Sequence, residues 1–164
     1  MSSNGWKINT NCIDWIRTNI EKGSSILELG SGPGSTPLLV QDYDLYSIEQ
    51  NQDYVGVHSD STYLYSSLIK EAGYWYDIDL VNEFVEGKSF SCILVDGPAA
   101  PQGVDCARCG LYDNIKSGKL KLNTKCVWIF DDTNRSADMD LAVTMSEFLG
   151  KKLESFHDYS IINL

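Results

Sequence analysis

Two almost continuous apolar segments, residues 90–95 and 126–130, constrain the fold of this chain more than any other feature. Segments of this kind are typical of central parallel strands that are covered on both faces. Apolar segments alternate with amphipathic ones from residue 25 to residue 150, which is typical of strand–helix–strand units. The sequence therefore predicts an α/β chain, with a doubly wound, mostly parallel sheet inside a three-layer sandwich.

Hydrophobic periodicity and turn residues place the other elements. A helix over 11–22 is predicted to end at Gly23, and a helix over 138–149 is predicted to end at Gly150. In the second of these helices, Phe148 is one of the residues expected on the buried face. The remaining predicted elements are a short helix that begins at Thr36 and Pro37, a helix over 77–85, and strands over 25–29, 45–49, 62–65, 153–156 and 159–163.

Length and charge restrict the class of protein. The 164 residues suit one domain over 1–164. The 13 basic and 23 acidic side chains give a formal net charge of −10, which disfavours nucleic acid as a partner because its phosphates attract basic surfaces. No apolar run approaches the roughly 18 residues of a membrane span, and residues 1–5 lack the features of a signal peptide. We therefore expect a cytoplasmic protein without a membrane partner, and a homo-oligomer stays open.

The chain has five cysteines. Cys92 and Cys126 lie in the apolar strands, where a free thiol packs as a small hydrophobe. Cys106 and Cys109 form a lone Cys-x-x-Cys pair. A structural zinc site needs four ligands, and both histidines are distant in sequence, so we expect this pair to be reduced thiols.

Candidate site residues follow the predicted parallel strands, because such sheets bind ligands beyond the carboxyl ends of their strands. Gly30, Gly32 and Gly34 follow the first strand and allow the backbone to turn sharply and approach a ligand. Glu28 lies two residues before Gly30, inside a buried strand. A carboxylate there can bind an ammonium group or order the loop, and it is unfavourable beside a pyrophosphate.

Acidic residues follow three of the other predicted strands. Glu49 ends the second strand, 19 residues after Gly30, at a distance that suits two hydrogen bonds to ribose hydroxyls. Nicotinamide enzymes and methyltransferases share that feature. Asp96 follows the fourth strand, and Asp131 and Asp132 follow the fifth; a buried carboxylate at a strand end is costly unless it has a partner.

The order acid-x-Gly-x-Gly-x-Gly in Glu28, Gly30, Gly32 and Gly34 resembles the first motif of the Rossmann-like (class I) S-adenosylmethionine-dependent methyltransferases. The resemblance implies a Rossmann-like fold and S-adenosyl-L-methionine as cofactor, with the glycine loop around its methionine part. It implies these cofactor-binding residues: Glu28, Gly30, Ser31, Gly32, Glu49, Gln50, Ser66 and Asp96.

The same resemblance implies methyl transfer to a small-molecule acceptor. Asp96 is the candidate to orient or deprotonate the acceptor, and Asp131 is the second catalytic candidate. In the catechol O-methyltransferase branch, acids at these strand ends bind a divalent cation such as Mg²⁺, so Asp96, Asp131 and Asp132 leave a metal open. The alternative is that Asp131 or Asp132 caps a helix or pairs with Arg135, and the favoured site for this chain contains no metal.

Two other functions stay open. A nicotinamide-dependent oxidoreductase fits Gly30, Gly32 and Ser35, but Glu28 and Gly34 argue against it, and no Tyr-x-x-x-Lys motif supplies a proton donor. A non-catalytic S-adenosylmethionine-binding protein is the second alternative, because the chain is short and shows no separate substrate domain. Arg108 and Gly110 resemble an Arg and a Gly that follow the fourth strand in some methyltransferases.

Overall fold

A seven-stranded sheet forms the centre of the structure, a computed structural model that describes residues 8–163. Its strands are β1 (Ser25–Leu29), β2 (Asp44–Glu49), β3 (Thr62–Tyr65), β6 (Cys92–Val95), β7 (Val127–Asp131), β8 (Leu153–Ser155) and β9 (Tyr159–Ile162). Their spatial order is β3-β2-β1-β6-β7-β9-β8. The first five strands in that order are parallel to one another, and β9 is antiparallel to both β7 and β8.

Five helices and a two-stranded hairpin complete the described fold. The hairpin consists of β4 (Leu68–Ile69) and β5 (Trp75–Tyr76). Short 3₁₀ helices span Gln52–Tyr54 and Lys70–Ala72. The α-helices are α1 (Thr10–Asn19), α2 (Thr36–Leu39), α3 (Ile78–Val85), α4 (Gly110–Lys116) and α5 (Ser136–Leu149).

Alternating side chains of the central strands divide the core into two layers. On β6, Cys92 and Leu94 pack with Ile16 of α1, whereas Ile93 and Val95 pack on the opposite face. That opposite layer also contains buried residues of α3, α4 and α5. Because successive strand residues point to opposite faces, a continuous apolar strand fills both layers. The predicted three-layer sandwich is confirmed.

The strands over 25–29 and 62–65 have their predicted bounds. The helix predicted over 11–22 ends at Asn19, because Ile20 has extended backbone angles. Phe148, expected to face inward, is 45% exposed; it lies at the edge of α5 and makes an edge-to-face contact with Tyr112 of α4. That prediction was wrong because residues at the border of a helical apolar stripe are covered only where a neighbouring helix reaches them.

The sequence did not predict α4 or the β4–β5 hairpin. Helix α4 begins after Cys109 without a side-chain hydrogen bond at its N-cap, so no local start signal marks it. Each hairpin strand has only two residues, too few for a periodic pattern. Even the longest helix in the described range, the 14-residue α5, is too short and polar to cross a membrane. Residues 1–5, on which the absence of a signal peptide was argued, lie outside that range.

Candidate functional site

The turns after β1 and β6 approach each other at the point where the strand order reverses. Gly30 has a φ of +88°, and a Cβ atom there would lie 2.7 Å from the Gly97 backbone. A Cβ on Gly97 would lie 2.6 Å from the Cα of Gly30. Both positions therefore require glycine, because any other residue would push the two backbones apart.

Beside this contact is a cavity of about 560 Å³ at the carboxyl edge of the parallel strands. This is where ligands bind in doubly wound sheets. The turn after each of β1, β2, β6 and β7 contributes to the wall. The lining residues are 30–34, 49–51, Tyr54, 96–100, 105–108, Asp131, Asp132, Arg135 and Asp138.

Glu28 lies beneath the glycine loop, outside the cavity wall. Its fully buried carboxylate accepts hydrogen bonds from the hydroxyls of Ser35, Thr36 (2.9 Å) and Ser47 (2.7 Å). The Thr36 hydroxyl in turn accepts from the Gly32 N–H at 3.1 Å. Burial raises the pKa of Glu28 to about 7. Through these hydroxyls the Glu28 side chain supports the loop from below, and its predicted contact with a cofactor stays a prediction.

Glu49 lies in the cavity wall and connects two of its turns. One carboxylate oxygen accepts from the Ser31 backbone N–H at 2.8 Å and from the Ser31 hydroxyl at 3.1 Å. The other oxygen accepts from the Asn51 N–H at 2.7 Å. These hydrogen bonds hold the Glu49 carboxylate at the floor of the cavity.

Gln50, the next residue, joins the turn after β2 to the turn after β6. Its side-chain nitrogen donates to the Ala99 carbonyl at 3.0 Å. Its side-chain oxygen is buried and has no hydrogen-bond partner within residues 8–163. Because a buried acceptor without a donor is costly, this oxygen is suited to accept a hydrogen bond from a ligand.

Ser66 lies outside the cavity wall, and its predicted contact with the cofactor stays a prediction. Its hydroxyl oxygen accepts from the Asp77 N–H at 2.8 Å, and it donates to the Ser67 carbonyl at 3.3 Å. Asp77 is the N-cap of α3 and accepts from two N–H groups of that helix. Ser66 therefore fixes the start of α3, and the hydroxyl is occupied by backbone groups.

Arg108 lies in the cavity wall, although it was not among the predicted site residues. The Arg108 side chain is 10% exposed. Its guanidinium donates to the backbone carbonyl of Asp131 at 3.1 Å and to that of Asp96. It also donates to the carboxylates of Asp96 (3.3 Å), Asp132 (3.0 Å) and Asp138 (3.1 Å). The sequence offers one weak signal for this position, an arginine near the end of a long irregular segment in an acidic chain. Its partners could not be predicted, because they lie on three different elements.

The carboxylates of Asp96, Asp131 and Asp132 lie within 4.8 Å of one another. Burial raises the pKa values of Asp96 and Asp131, and neighbouring carboxylates raise them further. Three such oxygens suit a hard cation, but Arg108 already bonds to two of the three carboxylates. Arg135 also pairs with Asp132, as the metal-free alternative predicted. The cluster in this form does not fit a divalent cation, which would have to displace the guanidinium.

No protein-family model matches this sequence, and no curated protein matches it. Solved structures do match. MycE, a methyltransferase from the mycinamycin biosynthetic pathway solved with Mg, SAH and mycinamycin VI, has a TM-score of 0.58 and 9% identity over 94% of this chain. This chain spans about half of MycE, 48% of its length.

Two other similar structures cover more of their own length. A Plasmodium falciparum protein described as a ribosomal RNA methyltransferase has a TM-score of 0.62 and 13% identity over 94% of both chains. A TehB-like SAM-dependent methyltransferase from Corynebacterium glutamicum has a TM-score of 0.55 and 15% identity, over 92% of this chain and 85% of its own. The chain has the Rossmann-like fold of the class I methyltransferases.

Within this methyltransferase fold, the cavity wall is strongly acidic. Six carboxylates line it, from Glu49, Asp96, Asp105, Asp131, Asp132 and Asp138, against the guanidiniums of Arg108 and Arg135. The predicted residues Gly30, Ser31, Gly32, Glu49, Gln50, Asp96 and Asp131 all lie in this wall. Such a wall attracts cations and repels anions.

Proposed function

We propose that this chain is an S-adenosylmethionine-dependent methyltransferase. The observation that carries the proposal is the excess of carboxylates around a glycine-turn cavity at the switch point of the sheet. The negative potential of these carboxylates stabilises a positively charged sulfonium, whereas it repels the diphosphate of a nicotinamide dinucleotide. The charge of the wall therefore favours this function over the oxidoreductase.

The wall offers separate groups for the parts of such a cofactor. The turn at Gly30, Ser31 and Gly32 is suited to the methionine part, and Glu49 to the ribose hydroxyls. The unpartnered oxygen of Gln50 is an acceptor for a nucleoside N–H or O–H. When bound, S-adenosylmethionine supplies an electrophilic methyl group that needs alignment with a nucleophile more than further activation.

Asp96 and Asp131 are the proposed proton acceptors. Burial and neighbouring carboxylates raise both pKa values, which makes each ionised carboxylate a stronger proton acceptor than a free one. The acceptor group would lose its proton to one of these carboxylates as its lone pair attacks the methyl carbon. Arg108 would keep both residues in place and limit the negative charge at the site.

The proposed acceptor is a small neutral or cationic molecule. A net charge of −10 and the acidic wall both disfavour a polyanion such as RNA. Arg135 has a half-exposed side chain at the wall, but both of its ion-pair partners are acidic residues of this chain. An anionic acceptor would therefore compete with Asp132 and Asp138 for the guanidinium.

Calorimetric titration with S-adenosylmethionine, S-adenosylhomocysteine and NAD tests the proposal. We expect saturable binding of the two sulfur ligands and none of NAD. Glu49→Ala should weaken binding at least tenfold, whereas Asp53→Asn, at an exposed position close by in sequence, should leave it unchanged. Binding of NAD alone would favour the oxidoreductase, and binding without methyl transfer to any acceptor tried would favour the non-catalytic protein.

A further inference from the structure

Cys106 and Cys109 form a disulfide at the cavity wall, which corrects the expectation of reduced thiols. The pair was predicted to be reduced because two cysteines and distant histidines do not make a zinc site. The structure brings the two sulfurs together because a tight turn precedes α4, where the Cys109 N–H also donates to the Cys106 sulfur at 3.2 Å. Cys106 itself lines the cavity.

The disulfide brackets Arg108, the residue that holds the carboxylates of the site. Residues 96–109 contain no helix or strand. Within the described chain, the Cys106–Cys109 bond is the one covalent cross-link of that segment. On its far side Gly110 is fixed, because a Cβ there would lie 2.7 Å from the Ala72 carbonyl and from the Trp75 side chain. The cross-linked turn therefore connects an anchored helix start to the Arg108 contacts.

The three free cysteines are poorly placed for exchange reactions. Cys12, Cys92 and Cys126 are buried in the core, whereas Cys106 and Cys109 are both partly exposed. A thiolate can attack a disulfide only where it reaches a sulfur atom. Any redox chemistry of the folded chain is therefore directed to this pair.

We propose that Cys106 and Cys109 are a redox-active pair whose reduction by a dithiol loosens the cavity wall around Arg108. The dithiol attacks one sulfur, the Cys106–Cys109 bond breaks through a mixed disulfide, and the reductant leaves as a disulfide. Two electrons and two protons thus pass to the pair, which becomes two thiols. Without the cross-link, the turn over 106–109 gains conformational freedom, and Arg108, which lies inside that turn, is less firmly held against the carboxylates.

The effect on ligand affinity rests on the proposed function, but the redox step does not. In a reducing compartment the dithiol form would predominate, and in an oxidising compartment the disulfide form would. The expected cytoplasmic location therefore predicts that the pair responds to local oxidants rather than serving as a permanent structural bond.

The test equilibrates the folded 164-residue chain in buffers of reduced and oxidised dithiothreitol and then alkylates it with iodoacetamide. After reduction we expect two alkyl groups per chain, on Cys106 and Cys109. The three core cysteines should react only after unfolding. Hydrogen exchange in 106–109 should be at least about tenfold faster in the reduced form, with β6 unchanged. The Cys106→Ser/Cys109→Ser variant should exchange at the rate of the reduced form, and dithiothreitol should not change that rate.

Three results would overturn the proposal. The first is a pair that is reduced only after global unfolding, and the second is reduction without faster exchange in 106–109. The third is equal affinity of the oxidised and reduced forms for S-adenosylhomocysteine, where we expect about tenfold weaker binding after reduction. If this ligand binds neither form, the proposed function fails instead, and the alkylation and exchange results still decide the redox step.

Discussion

Gly30 and Gly97 touch backbone to backbone although 67 positions separate them in the sequence. The contact closes the floor between the turns after β1 and β6 and leaves no volume for a Cβ on either residue. The shape of the cavity therefore depends on two glycines, of which only Gly30 belongs to the glycine-rich loop.

Alanine at either glycine should destabilise the fold. We expect Gly30→Ala and Gly97→Ala each to lower the free energy of unfolding by about 3 kcal/mol, through overpacking and, at Gly30, a positive φ. Gly32→Ala is the matched control, because a Cβ there meets no atom within 4 Å; its stability should stay within about 0.5 kcal/mol of the parent. Urea unfolding measures all three, and equal effects would contradict the backbone contact.

Glu28 should make the fold less stable as the pH rises. Its pKa is raised from 4.5 to about 7 in the folded chain, so folding favours its protonated form. The stabilisation is complete below pH 4.5 and is lost as the pH rises through 7, by about 3 kcal/mol. We expect Glu28→Gln to flatten this part of the profile in urea unfolding between pH 4.5 and 8.

The control for Glu28→Gln is Glu154→Gln on β8, where the side chain is exposed. That variant should keep the parent's pH dependence. Asp96 and Asp131 also have raised pKa values and should leave a residual slope of the same sign. An unaltered slope in Glu28→Gln would show that the Glu28 carboxyl is not the group responsible.

Loss of Arg108 should cost far more stability than loss of Arg135. Arg108→Met leaves several half-buried carboxylates without their donor, and breaking such a buried network costs about 3 kcal/mol. The Arg135 side chain is 55% exposed, so Arg135→Met should cost less than about 1 kcal/mol. Thermal and urea unfolding measure the difference, and similar losses would mean that Arg108 is not the anchor of the cluster.

Ser66→Ala separates a structural role from a ligand contact. Loss of the bond to the Asp77 N–H should lower the unfolding free energy by about 1 kcal/mol, as measured by urea unfolding. Affinity for S-adenosylhomocysteine should stay within about twofold, because Ser66 lies outside the cavity wall. A tenfold loss of affinity with unchanged stability would instead support the predicted cofactor contact.

The sequence by itself determined the α/β architecture and the edge of the sheet at which the candidate site lies. Continuous apolar strands such as β6, together with the spacing of Gly30 and Glu49, are local patterns, because burial on two faces and a sharp turn leave their mark on adjacent residues. Those patterns correctly put Glu49 and Asp96 in one wall.

Only the tertiary structure decided which way Glu28 points, what Ser66 bonds to, and where Arg108 and its flanking disulfide lie. Each of these depends on partners that come from other elements or on the path of an irregular segment. Side-chain direction and long-range contact are set by packing of the whole chain. No local pattern could therefore have revealed that carboxylates from two strand ends and one helix converge on one guanidinium.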